Sequence, residues 1–131
     1  MSGVFDWRTL GVVLLGGGIG SVLRYIVTAL VTQRLGPGFA WGTFLINISG
    51  SLIIGLVFEF SQTRAFGVSP LVRAFLMVGV LGGYTTFSTF ALDMVQSASE
   101  GASLVALGYG GASVVLGFAA AYLGIVLARA L

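Results

Sequence analysis

Polar and charged positions are so sparse along this 131-residue chain that they divide it into four long apolar stretches. The first covers about residues 9–33 and holds one charge, Arg24; the second begins at Trp41 and reaches Phe58 without any. Glu59, Arg64 and Pro70 mark a connector before the third, which is uncharged from Ala74 to Leu92. After Asp93 and Glu100 the fourth is uncharged from Gly101 to Ala128. About 20 apolar residues cross a bilayer as a helix. The pattern therefore predicts an all-α integral membrane protein with four transmembrane helices, over about 9–33, 41–60, 72–97 and 102–128, forming one domain across 1–131. Helix breakers fall between the spans, at Gly36-Pro37-Gly38, Gly67 to Pro70 and Ser99-Glu100-Gly101. The first stretch reads as a span rather than a signal peptide, because its leading residues are weakly basic and its apolar run outlasts an ordinary signal core.

Composition narrows the chemistry. Hydrophobic residues make up 57% and charged residues 8%, against roughly 25% charged in a soluble domain, and the mean hydropathy is +1.08. With no His and no Cys the chain lacks an imidazole base, a thiolate and the usual zinc ligands. Its four acids, Asp6, Glu59, Asp93 and Glu100, are too dispersed to suggest a catalytic carboxylate pair. No enzyme is expected. The six arginines are scattered rather than clustered, which argues against nucleic acid. With four spans the termini share one side with Arg8, Arg64, Arg73 and Arg129, while Arg34 falls on the other, so positive-inside bias mildly favours cytoplasmic termini.

Polar side chains at bilayer depth need partners or a wet path. Thr43, Asn47 and Ser51 recur every four residues and share one helix face. The Asn47 amide suits either an inter-helix hydrogen bond or an anion passing along that face. The third span contains Gly82-Gly83-Tyr84-Thr85-Thr86-Phe87-Ser88-Thr89-Phe90. Paired glycines followed by clustered hydroxyls make a poor continuous helix and predict a break in mid-membrane. Phe87 and Phe90 lie three apart; they face lipid or core, or their positive ring edges hold an anion without a formal counter-charge. In the fourth span Tyr109, Ser113 and Gly117 repeat at four-residue spacing, as a polar track or a close-packing face. Arg24 is expected to snorkel near a span end, with a bound anion as the other reading. Among 21 glycines, Gly16 with Gly20 and Gly79 with Gly83 have the GxxxG spacing that lets helix backbones approach.

The third-span sequence resembles the signature of the small bacterial fluoride channels, the Fluc or CrcB family. Gly20-Ser21-Val22-Leu23-Arg24-Tyr25 and Trp41-Gly42-Thr43-Phe44-Leu45-Ile46-Asn47 are similar to further motifs of that family, in the same order. The resemblance implies a passive fluoride channel in the bacterial inner membrane, assembled with an identical subunit as an antiparallel, dual-topology dimer with two pores. It also implies a structural sodium ion at the dimer centre, on the main-chain carbonyls of Gly82 and Thr85. Phe87, Phe90 and Asn47 would line the pore, with Ser88 and Thr89 as nearby hydroxyls and Thr43 as a vestibule group. Tyr109 and Ser113 would form the polar track, with Gly117 where the family has a third hydroxyl. Asp93, a possible relay, stands where the family often has the longer Glu, and Arg24 is a possible vestibule group. In the physiological role so implied, hydrogen fluoride enters acid-stressed cells, dissociates, and leaves through the channel as the trapped anion.

A small multidrug-type proton-coupled transporter is the alternative of similar length and span number, but it needs a membrane-embedded Glu in the first span, and residues 9–33 hold no acid. A structural membrane subunit or holin would explain the hydrophobicity and the glycines. It gives no reason for the hydroxyl cluster and the paired Phe.

Overall fold

The computed structural model describes residues 5–63 and 67–131; Arg64, counted above on the terminal side, lies outside them. Among the described residues there are helices and no strands. Four helical segments are long and apolar enough to cross a membrane: Trp7–Leu35, Trp41–Gln62, Pro70–Ser99 and Ser103–Ala130. The protein is a multi-pass, all-helical membrane protein.

Helix α1 (Trp7–Leu35) starts at Asp6, whose carboxylate accepts from the Arg8 and Thr9 N–H groups at 3.3 and 3.2 Å. These are donors that the first helical turn leaves without partners. It ends at Gly36, where a φ of +82° lets the chain turn while the Gly36 N–H still reaches Thr32 O at 2.9 Å. Helix α2 (Trp41–Gln62) has no side-chain cap. Its entry is instead packed by aromatic rings, with Phe39 4.6 Å from Trp41 and 6.3 Å from Phe44 between centroids.

The third segment is composite. It opens as α3 (Pro70–Arg73), capped by the Ser69 hydroxyl, and continues as a π-helical stretch (Ala74–Leu81) and a short α4 (Gly82–Tyr84). Thr85 and Thr86 then have extended backbone, with φ, ψ of −81°, 160° and −153°, 122°. Helix α5 (Phe87–Ser99) follows, and after a turn at Gly101, with φ of +85°, α6 (Ser103–Ala130) completes the chain.

Packing pairs α2 with α6, and α1 with the π-helical stretch and α4. Both seams are built on glycine. A Cβ at Gly16 would meet Phe75 O at 2.6 Å and Gly79 Cα at 3.0 Å, and one at Gly83 would meet Gly17 O at 2.5 Å. The two GxxxG pairs of the sequence are thus the two sides of one contact. The second seam joins Gly55 to the Ala121 carbonyl and Gly124 to the Leu52 carbonyl. Interior space is scarce. Among the described residues Ile46 is the one large side chain that is fully buried, whereas Leu14, Leu104 and Phe118 are exposed. In a bilayer, lipid is as apolar as a protein core, and close backbone packing holds helices together where hydrophobic burial does not.

Candidate functional site

The site is organised around the two extended residues of the third segment. In a continuous helix the Thr86 N–H would bond to Gly82 O. Here it donates to Asn47 Oδ1 at 2.9 Å, and Asn47 Nδ2 donates back to Thr86 O at 3.0 Å. One carboxamide from α2 therefore satisfies both backbone groups of Thr86, which is 8% exposed. The Thr86 hydroxyl restarts the helix: it accepts from Thr89 N–H at 3.3 Å, donates to Thr89 Oγ1 at 3.1 Å, and lies 3.5 Å from Ser88 Oγ. On the N-terminal side, Thr85 N–H and Thr85 Oγ1 both donate to Leu81 O, at 3.0 and 2.9 Å. The Tyr84 hydroxyl and Ser49 Oγ are hydrogen-bonded at 3.0 Å.

Arg24 differs from the sequence expectation. Its Nη1 donates to Thr85 O at 3.4 Å, so the half-buried guanidinium turns toward the extended residues rather than snorkelling along the span to its end. The reason is local supply and demand: the helix donor for Thr85 O would be the Thr89 N–H, which is taken by the Thr86 hydroxyl.

A groove of about 320 Å³ opens beside this constellation, with Asn47, Ser51, Thr86, Phe87, Phe90 and Ser113 on its wall. No charged side chain lines it among the described residues. The Phe87 and Phe90 centroids are 5.7 Å apart, with rings tilted by 49°. Phe87 is 79% exposed on the single chain, so one side of the groove is open. Ser113 Oγ is buried and has no hydrogen-bond partner. Such a hydroxyl ordinarily finds a partner, and leaving it without one is costly.

Behind Phe90 the ring of Tyr109 lies 5.2 Å away, tilted by 57°, and also packs on Phe39 and Phe44 at 5.2 and 6.3 Å. The Tyr109 hydroxyl donates to Asp93 Oδ2 at 3.3 Å, which links α6 to α5. Thr43 is buried one turn before Asn47. Thr43, Ser88, Thr89, Tyr109 and Asp93 are not on the groove wall, and Gly82 is exposed on the outer face of the single chain. Two polar wall residues, Ser51 and Thr86, lie outside the sequence-based site set. Ser51 was legible as the third member of the four-residue series; its hydroxyl donates to Asn47 O at 2.7 Å and stands 3.6 Å from where a Cβ of Gly117 would be. Thr86 was legible only as one hydroxyl among four.

Comparison with known proteins places this arrangement. A family model described as CrcB-like protein, Camphor Resistance (CrcB), matches residues 11–125. A protein of Rhizobium meliloti named Fluoride-specific ion channel FluC is 47% identical over 116 residues, which cover 88% of this chain and 92% of that protein. Its namesake from Flavobacterium psychrophilum is 40% identical over 95% of this chain and 99% of its own length. Fluoride-specific ion channel FluC 1 of Nitrobacter hamburgensis is 46% identical over 95% and 98%. The chain belongs to the CrcB-like family, whose relatives place it among ion channels rather than enzymes.

Proposed function

We propose that this protein is a fluoride-selective channel of the bacterial cytoplasmic membrane, and that it lets fluoride leave the cell passively and so lowers its toxicity. The observation that carries the reading is the uncharged groove, which combines an orphaned hydroxyl with two aromatic rings beside the Asn47 amide. Fluoride is small and strongly hydrated, and only close donors can replace its water. Ser113 Oγ–H is free to donate, and Asn47 keeps one amide N–H beyond the one given to Thr86 O. The edges of Phe87 and Phe90 add positive potential without fixed charge. An ion held this weakly can also leave, whereas an arginine in the groove would retain it. Thr43, Ser88, Thr89 and the Tyr109–Asp93 pair extend the polar groups on either side, with Asp93 and Arg24 as relay or vestibule groups.

The functional unit in this reading is an antiparallel dimer of identical subunits with two pores. The groove is open at Phe87, and a second copy would close it. The third span is broken in mid-membrane at Thr85 and Thr86, and a structural sodium ion sits on the carbonyls of Gly82 and Thr85 from both subunits. The residues fit that ion. The Thr86 and Thr89 N–H groups, the helix donors for these two carbonyls, are both diverted elsewhere; Gly82 O would be open to the ion, while Thr85 O, which already accepts from Arg24 at 3.4 Å, would offer its second lone pair, and carbonyls at a broken helix suit an alkali cation. The ion would supply positive charge to the carbonyl dipoles of two chains and so join them. Hydrogen fluoride that crosses from an acidic exterior dissociates in the cytoplasm, and the anion then exits down its own gradient. A proton-coupled multidrug transporter is not favoured, because the first span carries no acid.

Purified protein in liposomes, with fluoride and chloride efflux followed by ion-selective electrodes, tests the function. Rapid fluoride-selective efflux without a proton gradient is expected, and equal chloride leakage or no flux of either ion would refute the proposal. Replacing both Phe87 and Phe90 with Ile should abolish flux in a folded dimer; undiminished flux would remove the ring-edge role. Sodium should support dimer stability or activity after exhaustive exchange into a large organic cation, and indifference to that exchange would count against the central ion.

A further inference from the structure

Asn47 and Thr86 are 39 residues apart in sequence and are joined by two hydrogen bonds of opposite sense. Such a pair uses the geometry of a peptide group: one carbonyl oxygen and one N–H, both presented by the carboxamide. The other hydrogen bonds of Thr86 run through its hydroxyl and do not hold its backbone extended. Its own hydroxyl points forward into α5, and the preceding turn is closed on Leu81 by Thr85. Without the amide, the Thr86 N–H would fall back to the nearest acceptor along the chain, Gly82 O, and the helix would run on through Thr85.

We infer that Asn47 is a positioning residue: its carboxamide clamps Thr86 in extended form and, by taking the Thr86 N–H, keeps the Gly82 carbonyl out of the helix ladder. The consequence for ions rests on the channel reading, since a Gly82 carbonyl taken by the helix would be lost to a cation. The clamp itself does not depend on it. Asn47 thereby couples two parts of the molecule that a contact map would treat separately. The amide beside the groove on α2 and the Gly82 carbonyl of the third segment are set by one side chain, so a change at Asn47 acts on both. Ser51 supports the arrangement from below, because its hydroxyl bonds to Asn47 O at 2.7 Å within the same helix.

The Cα and Cβ chemical shifts of Thr86, measured by NMR in lipid nanodiscs with Ile46 as the buried helical reference, test the clamp. In Asn47→Ala they should move from extended toward helical values as the Thr86 N–H passes to Gly82 O, while those of Ile46 keep their place. Asn47→Asp retains an oxygen acceptor for the Thr86 N–H, so it should keep the extended shifts, and it provides the decisive comparison if the alanine variant does not fold. Extended Thr86 shifts in Asn47→Ala, or helical ones in Asn47→Asp, overturn the inference. In the same variants, Asn47→Ala should need more sodium than the unaltered protein to hold its dimer. The two readings fail separately: absence of fluoride flux in the unaltered channel refutes the proposed function and leaves the shift result standing, and extended Thr86 shifts in Asn47→Ala refute the clamp while leaving the channel reading intact.

Discussion

Gly20 offers a quantitative test of how the first span is held. A Cβ at this position would lie on the Val80 carbonyl oxygen, 2.8 Å from Tyr84 N and 2.9 Å from Val80 C. All three are backbone atoms, so no rotamer change relieves the clash, and the helices must separate. Overpacking of this kind costs about 1–3 kcal/mol, and the rigid obstruction puts Gly20→Ala near the upper end. Against this, Ala stabilises a helix over Gly by about 1 kcal/mol. The net expectation is a loss of about 2 kcal/mol. Gly11 and Gly18 lie on the same helix with nothing within 4 Å of an added Cβ, so alanine there should gain up to about 1 kcal/mol. The difference of about 3 kcal/mol corresponds to about a hundredfold in the unfolding equilibrium constant. Steric-trap or denaturant unfolding of the three variants in the same bicelles measures it directly. If Gly20→Ala is as stable as both controls, the first and third segments are not packed backbone to backbone and the seam described above is wrong.

Ser113→Ala should cut fluoride flux at least about tenfold while leaving stability unchanged or raising it by about 1 kcal/mol, because it removes a buried hydroxyl without a partner; flux and unfolding measured on one preparation check this, and a clear loss of stability would mean that the hydroxyl is bonded. Arg129 Nε and Glu59 Oε1 are 3.1 Å apart, but Arg129 is 65% exposed, so solvent screening should leave the two substitutions additive in a double-mutant cycle, and clear non-additivity would contradict that exposure. The Thr9 hydroxyl, 2.7 Å away, and then the Arg8 N–H hold the Asp6 carboxyl below its ordinary range. Because the folded pKa is lowered, the cap is fully present above the ordinary value of about 3.9 and is lost as pH falls through the lower folded value. The protection factor of the Thr9 amide, its exchange corrected for the intrinsic pH dependence, should therefore stay flat from neutrality to mild acid and fall only below about pH 4; fraying that begins near pH 6 would refute the cap.

Span number was legible because hydropathy is local: each stretch of about 20 apolar residues declares itself without its partners. The face shared by Thr43, Asn47 and Ser51 was legible for the same reason, since four-residue spacing fixes direction within one helix. Partnership was not. That Asn47 meets Thr86, or that Tyr109 meets Asp93, depends on how helices lie against each other, which no spacing within one helix encodes. Gly16, Gly20, Gly79 and Gly83 advertised close approach, yet the pairing of Gly55 with Ala121 and of Gly124 with Leu52 had no such motif, because each supplies a single notch rather than a spaced pair. Arg24 was placed by the cost of burying a charge, which is sound on average. A carbonyl deprived of its helix donor reverses that balance at one site, and that carbonyl appears only when Thr86 has been folded.

The π-helical stretch from Ala74 to Leu81 acts as a phase adjuster. Each of its turns carries one residue more than an α-turn would, so it sets the angle between the glycine face presented to α1 and the Thr86 backbone presented to Asn47. Delete one residue there, for example the outward-facing Val78, and the stretch can tighten to α-helix, turning one of these faces by about 100° relative to the other. The span could then keep its seam or its clamp, but not both. Chains built on this plan are accordingly expected to vary in the outward-facing side chains of that stretch while keeping a small residue at the position of Gly79 and holding the residue count fixed, and an alignment gap there would mark a protein whose third span is put together differently.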